Sequence, residues 1–337
     1  MSLAMRSKTI LHYNNMVVPK SITDDCESFT FEDNASGSAD SIALTVSNRS
    51  GKWFRKLHPK ENDFIKVWIQ VENWEQGKEN AKLYCGKFTI DELVFSGFPE
   101  LAQIKGISIP IKGKFNVTER SRTWKKTTTK QILSDIAGEA GIKLVYDAEI
   151  HSIDEVSQSG NTDMEFAFSV CSDYDIALKL YDDKMVAYDK TKYEKKKHVY
   201  TIKKSQLGGA GAYSVKEQIR TTYDSVKMQY TKDGKTVTYE YTIPGKKGAR
   251  RMFLSEKAES IKDAELKAKA RLRENLRESK TLNLTLLGNI KYKAAETFML
   301  EGFGKLDGKY FIDYVCHSKT NGGYKCKITA HPVVTDF

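Results

Sequence analysis

The side chains best suited to chemistry are scattered along the chain. Cys171 and, downstream, His198 offer a thiol nucleophile and a base, with a helix expected just after Cys171 whose N-terminal dipole would lower the thiol pKa. Cys316, His317, Cys326 and His331 offer sulfur and imidazole ligands for a metal ion. The pairs Asp24 with Asp25 and Asp182 with Asp183 carry carboxylates, but nothing sets a second group at glycosidase separation. Lys192-Tyr-Glu-Lys-Lys-Lys-His198 and Lys246-Lys-Gly-Ala-Arg-Arg251 place cations beside aromatics, the pattern that meets nucleic-acid phosphates and bases.

Each of these has a plainer account. Cysteine is among the most buried residue types, and Cys171 closes the apolar run Phe166-Ala-Phe-Ser-Val-Cys171. Neighbouring strand residues point to opposite faces, so Cys316 and His317 do not readily share one ion. Paired aspartates are ordinary turn residues. The basic runs lack a recognised binding motif and suit a solvated face or an acidic neighbouring subunit. From Lys190 to Arg251 there are 16 Lys and Arg against 5 Asp and Glu, so the net charge of +10 is concentrated there. The expectation is therefore no catalytic residue, no cofactor and no metal ion.

The elements that would position these groups fall into three regions. At 337 residues the chain exceeds one usual core. Hydrophobic residues at 40% and charged residues at 29% fit a folded, soluble protein. Short alternating runs such as Ser41-Ile-Ala-Leu-Thr-Val46 and Phe64-Ile-Lys-Val-Trp-Ile-Gln-Val71 make 1–113 a β-barrel or sandwich. Across 114–200 helices and strands alternate. Thr128 with Gln131 caps a helix that carries Ile132, Leu133, Ile136, Ala137 and Ala140 and stops at Gly141; the strand Lys143 to Tyr146 follows. Ser172 or Asp173 is expected to cap a second helix carrying Ile176, Ala177 and Leu180, followed by the strand Lys184 to Tyr188.

In 201–337, after the connection Gln206 to Ala212, β alternation returns at Ser225–Tyr230 and Val237–Ile243. A helix near 260–279, capped by Ser260 with Asp263, lays Ile261, Ala264, Ala268, Leu272 and Leu276 along a covering face and leaves Leu266 off it. Five cysteines without a CxxC pair read as reduced thiols. Met1 to Ala4 read as an expression leader before a start near Met5. No run nears the roughly 18 apolar residues of a membrane span, and no secretion signal is evident, so assembly in the cytoplasm without stable membrane association is expected.

One signature occurs twice. Gly86-Lys-Phe-Thr-Ile-Asp-Glu-Leu93 and Gly308-Lys-Tyr-Phe-Ile-Asp-Tyr-Val315 share Gly-Lys-aromatic-x-Ile-Asp-x-aliphatic, at an offset of 222. Prolines at Pro110 and Pro332 keep the same offset. Two related β-hairpins are the physical reading.

With that duplication the chain resembles the late control D family of phage baseplate hubs, found in contractile tails, R-type bacteriocins and related injection machines. The resemblance spans nearly the whole chain. It is carried by Trp124 with Lys130-Gln-Ile-Leu-Ser-Asp-Ile-Ala137, by Asp173 to Tyr188, by Asp263-Ala-Glu-Leu-Lys-Ala-Lys-Ala270, and by Leu300-Glu-Gly-Phe-Gly304 with Tyr310 to His317 and Gly323 to Cys326. It implies a mainly β protein with an α+β insertion: two tube-type β-barrel domains flanking a small α+β domain. It also implies a homotrimer that adapts a six-fold tail tube, or tube initiator, to a three-fold central spike among other baseplate proteins, with DNA passing transiently. Some relatives carry peptidoglycan-cleaving domains, for which this chain has no spare region. The alternatives are a nucleic-acid-binding β protein using Lys192 to Arg251, or a cell-wall-degrading enzyme using Cys171.

Overall fold

The structure, a computed structural model, describes residues 4–18, 26–55, 57–60, 62–74, 79–109, 115–335 and 337. Met1 to Leu3, Asp24, Asp25, Pro110 and the expected boundary at 113/114 lie outside the described residues. The first β region holds β1 (Arg6–Tyr13), β2 (Met16–Val17), β3 (Cys26–Asn34), β4 (Ser41–Ser47), β5 (Phe64–Asn73), β6 (Glu79–Ser96) and β7 (Leu101–Ile107). The insertion holds β8 (Glu119–Thr128), α1 (Thr129–Ala140), β9 (Lys143–Asp147), β10 (Ser152–Thr162), α2 (Asp163–Asp173), β11 (Ile176–Tyr181), β12 (Lys184–Asp189) and α3 (Lys190–Lys195). The last region holds β13 (Tyr200–Lys203), β14 (Tyr213–Glu217), β15 (Ser225–Lys232), β16 (Lys235–Thr242), β17 (Arg251–Leu254), α4 (Ile261–Glu278), β18 (Lys280–Leu287), β19 (Thr297–Glu301), β20 (Gly308–Thr320) and β21 (Gly323–Pro332). The expected class, mainly β with an inserted α+β domain, is borne out.

Among the described residues the two barrel-type regions are joined edge to edge in one 13-stranded sheet. In the first half the order is β3-β4-β7-β6-β5-β1; in the second it is β14-β18-β21-β20-β19-β13. The registers coincide. Ile90 pairs with Gly106 and Ile312 with Ala330; one residue later each ladder slips, leaving Asp91 and Asp313 as single-residue bulges. Val67 pairs with Gly86 as Leu300 pairs with Gly308. Ile42 and Leu44 face Gly106 and Ile104 as Leu282 and Leu284 face Ala330 and Ile328. Repetition thus extends over six strands, although the outermost differ: β1 runs antiparallel to β5, whereas β13 runs parallel to β19.

The return strands correct one expectation. Leu93 pairs with Ile104, but Val315 pairs with Ile328, so β21 aligns with β7 two residues later than the offset of 222. Equal glycine-to-proline spacing is therefore not an equal register. Thr320 to Gly323 closes the second hairpin more tightly than the Gly97–Glu100 turn closes the first. The glycines themselves are equivalent. Gly86 and Gly308 sit at φ +129° and +150°, where a Cβ is strained.

Two further expectations change. The second helix of the insertion is α2, ten residues earlier than a Ser172 or Asp173 cap allows. Thr162 and Glu165 form its capping box, Asp175 takes φ +57°, and Ile176-Ala-Leu-Lys-Leu-Tyr181 is a strand buried on both faces. An apolar run does not separate a buried strand from a helix by period alone. The strands around 225–254 stand outside the large sheet, as the three-stranded order β16-β15-β17. Alternation marks a strand without saying which sheet takes it.

Capping at Thr128 and Ser260 is as expected, each side chain accepting from the third residue beyond it. α4 lays Ala264, Ala268 and Leu272 on the β15 to β17 sheet, while Leu266 packs on the core of the insertion. Ile261 is exposed rather than part of that face.

Replacing either special glycine isolates the backbone requirement. Gly308→Ala has open space around its Cβ and should lose only conformational energy, about 1–3 kcal/mol. Gly86→Ala should lose more, because its Cβ also meets the Tyr181 ring at 3.3 Å. Urea unfolding of both variants measures the difference.

Candidate functional site at the junction of the repeated halves

The junction is a strand pairing between the halves. Tyr314 to Lys319 of β20 run antiparallel to Phe29 to Asn34 of β3, with His317 opposite Phe31. Their rings stack with centroids 5.7 Å apart. His317 Nδ1 meets the Tyr324 hydroxyl at 2.6 Å and its Nε2 meets the Tyr292 carbonyl at 3.0 Å. Burial pushes the imidazole down to about 4, so it is neutral. Trp74 Nε1 donates to the Gly288 carbonyl at 2.8 Å, tying the end of β5 to the second half. A Cβ on Gly288 would stand 2.3 Å from the Tyr324 ring, so only glycine fits there.

Two buried ionic clusters clamp the other modules to this junction. In the first, Lys179 from the middle of β11 reaches Asp33 at 2.5 Å, the Asn34 carbonyl at 2.6 Å and Asp40 at 2.9 Å. Asp33 also accepts from the Ala294 amide at 2.8 Å. Burial raises the Asp40 carboxyl to about 7, with the Asp33 charge adding to it and Lys179 opposing. For Lys179, burial would lower the ammonium pKa, and the two carboxylates outweigh that and raise it. Removing one partner would leave a buried charge uncompensated, which is what makes such a cluster unforgiving.

In the second cluster, Arg277 at the end of α4 binds Asp175 and, at 2.5 Å, Glu194 of α3. His331 of β21 lies 2.8 Å from Asp313 and 3.4 Å from Glu194. Burial alone would lower His331, but the Asp313 and Glu194 carboxylates hold it up to about 9. Burial would raise Glu194, and His331 and Arg277 keep it below its ordinary range. The cluster borders a cleft of about 570 Å³ between insertion and sheet.

The sequence candidates take the following places in the structure. Cys171 lies in the last turn of α2, not before a helix, and is fully buried; burial raises its thiol well above the ordinary value. No hydrogen bond joins it to His198 among the described residues. Cys316 and His317 do point to opposite faces, and His331 belongs to a different network; no metal-binding group of His, Cys, Asp or Glu occurs among the described residues. His317 does meet Cys326, at 3.2 Å. Asp182 and Asp183 form the β11–β12 turn, where they bind Tyr84 at 2.6 Å and Lys87 at 2.7 Å, beside Gly86.

Among the basic residues, Lys192 pairs with Asp147, Lys196 lies 3.0 Å over the Tyr193 ring and Arg251 reaches Glu240 at 3.4 Å. Lys246 and Lys247 are exposed in a turn. Sequence reasoning missed Lys179, Asp33, Asp40, Glu194 and Arg277. A single charge inside the apolar run of β11 was the one available signal.

Two measurements test the clusters. Lys179→Met should cost about 3–5 kcal/mol by leaving two buried carboxylates unpaired, and urea midpoints read it. For the second cluster, folding favours protonated His331. Its stabilisation is complete below the ordinary value of 6.5 and fades as pH rises through about 9. Thermal unfolding should show that decline in the wild type and lose it in His331→Gln. Glu194 adds the opposite limb, stability lost as acid protonates it.

The comparisons agree with the resemblance read from the sequence. No family model matches the chain. It is 28% identical over 128 residues to the probable baseplate hub protein of Escherichia phage 186, a match over 38% of this chain and 30% of that protein. It superposes on the 43 kDa tail protein of prophage MuSo2 from Shewanella oneidensis with TM-score 0.73, at 12% identity, over 97% of this chain and 99% of that one. An Escherichia coli component of the type VI secretion system, described as structurally similar to bacteriophage T4 tail proteins, gives TM-score 0.57 at 13% identity, over 96% of this chain and 76% of its own. At such identities the likeness is one of fold.

Proposed function

From a chain that is baseplate-hub-like and has the fold of prophage tail proteins, we propose a structural hub that works as a symmetry adapter. Three copies form a ring in which each contributes two barrel-type halves. Six similar units then face a six-fold tail tube, while the ring's three-fold symmetry suits a central spike. Closed symmetry of this kind fixes which surfaces must be complementary.

The observation that carries this reading is the register repeat. Six strands recur in the same order, with the bulges Asp91 and Asp313 at the same ladder position. A chain that only needed a stable core has no use for two matched units. In this reading the hub assembles in the bacterial cytoplasm with tube and spike proteins and ends in the tail baseplate. Catalysis is no part of it, since the Cys171 thiol is sealed inside α2's packing and kept protonated. Lys192, Lys196 and Arg251 are engaged within the chain, which takes them away from any phosphate contact.

The test is assembly. The full chain, mixed with tail-tube and spike proteins of a contractile tail, should give a particle with three copies of this 38.2 kDa chain by native mass, and a ring with six peripheral units by electron microscopy. A chain that stays monomeric and captures neither protein would overturn the proposal.

A further inference from the structure

The cleft between the insertion and the sheet joins two kinds of surface. Its walls are apolar: Phe168 of α2, Ile176 and Leu178 of β11, Phe311 of β20, and the ring of Tyr188, whose hydroxyl is spent on the Ala35 carbonyl at 2.7 Å. Against them stands the second ionic cluster, where the charges do not balance. Lys190 is taken by Glu274 at 2.8 Å, Arg277 by Glu194 at 2.5 Å and His331 by Asp313 at 2.8 Å. Glu278 is left over. It lines the same cleft, is exposed to solvent and has no ion-pair or hydrogen-bond partner among the described residues.

A second carboxylate is also unfinished. Glu194 is 1% exposed and borders the cleft; its Oε1 takes Arg277 and His331, while its Oε2 has no partner among the described residues. Buried acceptors are almost always met by a donor, so an unmet one bordering a cleft marks where a ligand N–H belongs. We propose that the cleft binds one organic monocation carried on an aliphatic stem, the chemistry shared by a lysine or arginine side chain of a partner protein and a free alkyl cation.

Each part of that ligand answers one feature. The lining carries four carboxylates, Glu194, Glu274, Glu278 and Asp313, against three cations, Lys190, Arg277 and protonated His331, an excess of one negative charge. α4 creates that excess by setting Glu274 and Glu278 one turn apart; burial, and then the Glu274 charge, raise the Glu278 carboxyl. A metal ion fits poorly, because it asks for several free oxygens and three of these carboxylates are already held. An anion fits worse, since all three cations are taken. The Phe168 and Phe311 rings suit an aliphatic stem and a cation laid against their faces. One chain supplies every group, so the site stands apart from the ring reading.

Calorimetric titration of the full chain tests it. Butylguanidinium should bind saturably, one per chain, and about tenfold or more tighter than either butylurea, its uncharged counterpart, or guanidinium, which lacks the stem. Glu278→Gln, at an exposed position, should lower that affinity about tenfold. Ser169→Trp, which fills the cleft from an exposed position on α2, should abolish binding. Both variants should keep the wild-type circular dichroism. The peptide acetyl-Gly-Arg-Gly-amide reads the source of the cation. Affinity equal to that of butylguanidinium assigns the cleft to a partner's side chain, and binding of butylguanidinium without the peptide assigns it to a free alkyl cation. Butylurea that binds as well as butylguanidinium, affinity indifferent to both substitutions, or no saturable binding of butylguanidinium or the peptide overturns the proposal.

Discussion

Six residues of β20 paired with six of β3 are the constraint on which the rest of the molecule depends. The pairing turns two similar sheets into one and places Asp33 where three separate segments can use it. Its strand neighbours make it part of the sheet; its carboxylate takes Lys179 from the insertion and the Ala294 amide from the second half. A residue so placed couples sheet continuity to domain orientation. Loosening either disturbs the other, because a largely buried carboxylate that loses its partners is costly.

Two of the three buried histidines, His317 and His331, show how that geometry assigns charge. His317 lies in the junction among Phe31, Tyr324 and Cys326, where burial dominates and the ring is neutral. His331 lies one strand away, with Asp313 and Glu194 on either side, and is held protonated. Asp313 is the bulged residue of the repeat. The irregularity that marks the second half as a copy of the first also aims a carboxylate at the ionic cluster that holds α3 and α4. In the first half the bulged Asp91 is exposed beside an empty cleft, so the same backbone feature serves two ends.

Much of this was legible in the residues, and the limits have physical causes. The Gly-Lys-aromatic-x-Ile-Asp signature was readable because a positive φ demands glycine and the bulge kept its aspartate. The pairs Val67 with Leu300 and Ile42 with Leu282 were not, since any aliphatic residue satisfies a buried strand position. The two-residue slip between β7 and β21 arises in hairpin closure, which spacing between distant landmarks does not report. Thr128, Gly141 and Ser260 were identifiable as caps because local backbone groups require them. Lys179 and Arg277 were not identifiable as clamps, because their partners lie more than 80 positions away in sequence. Reading α2 ten residues late came from treating Ile176-Ala-Leu-Lys-Leu-Tyr181 as helical when both faces are buried.

Open sheet edges are normally hazards; among the described residues β14 is an outer strand of the large sheet, and Glu92 to Ser96 of β6 pair on one side only. A free strand edge invites any other strand, and proteins usually blunt it with charge or distortion. β14 carries Lys216 and Glu217, and β6 carries Glu92, enough to discourage indiscriminate pairing. Glu92 and Glu217 are themselves paired across the sheet, with Lys105 and Lys280. A head-to-tail contact either closes into a ring or grows without end, and which occurs depends on the rotation between successive units. Within the chain, β20 and β3 fix one such rotation between the two halves. A ring of the proposed kind closes only if the contacts between copies keep a rotation compatible with the one that folding has already set.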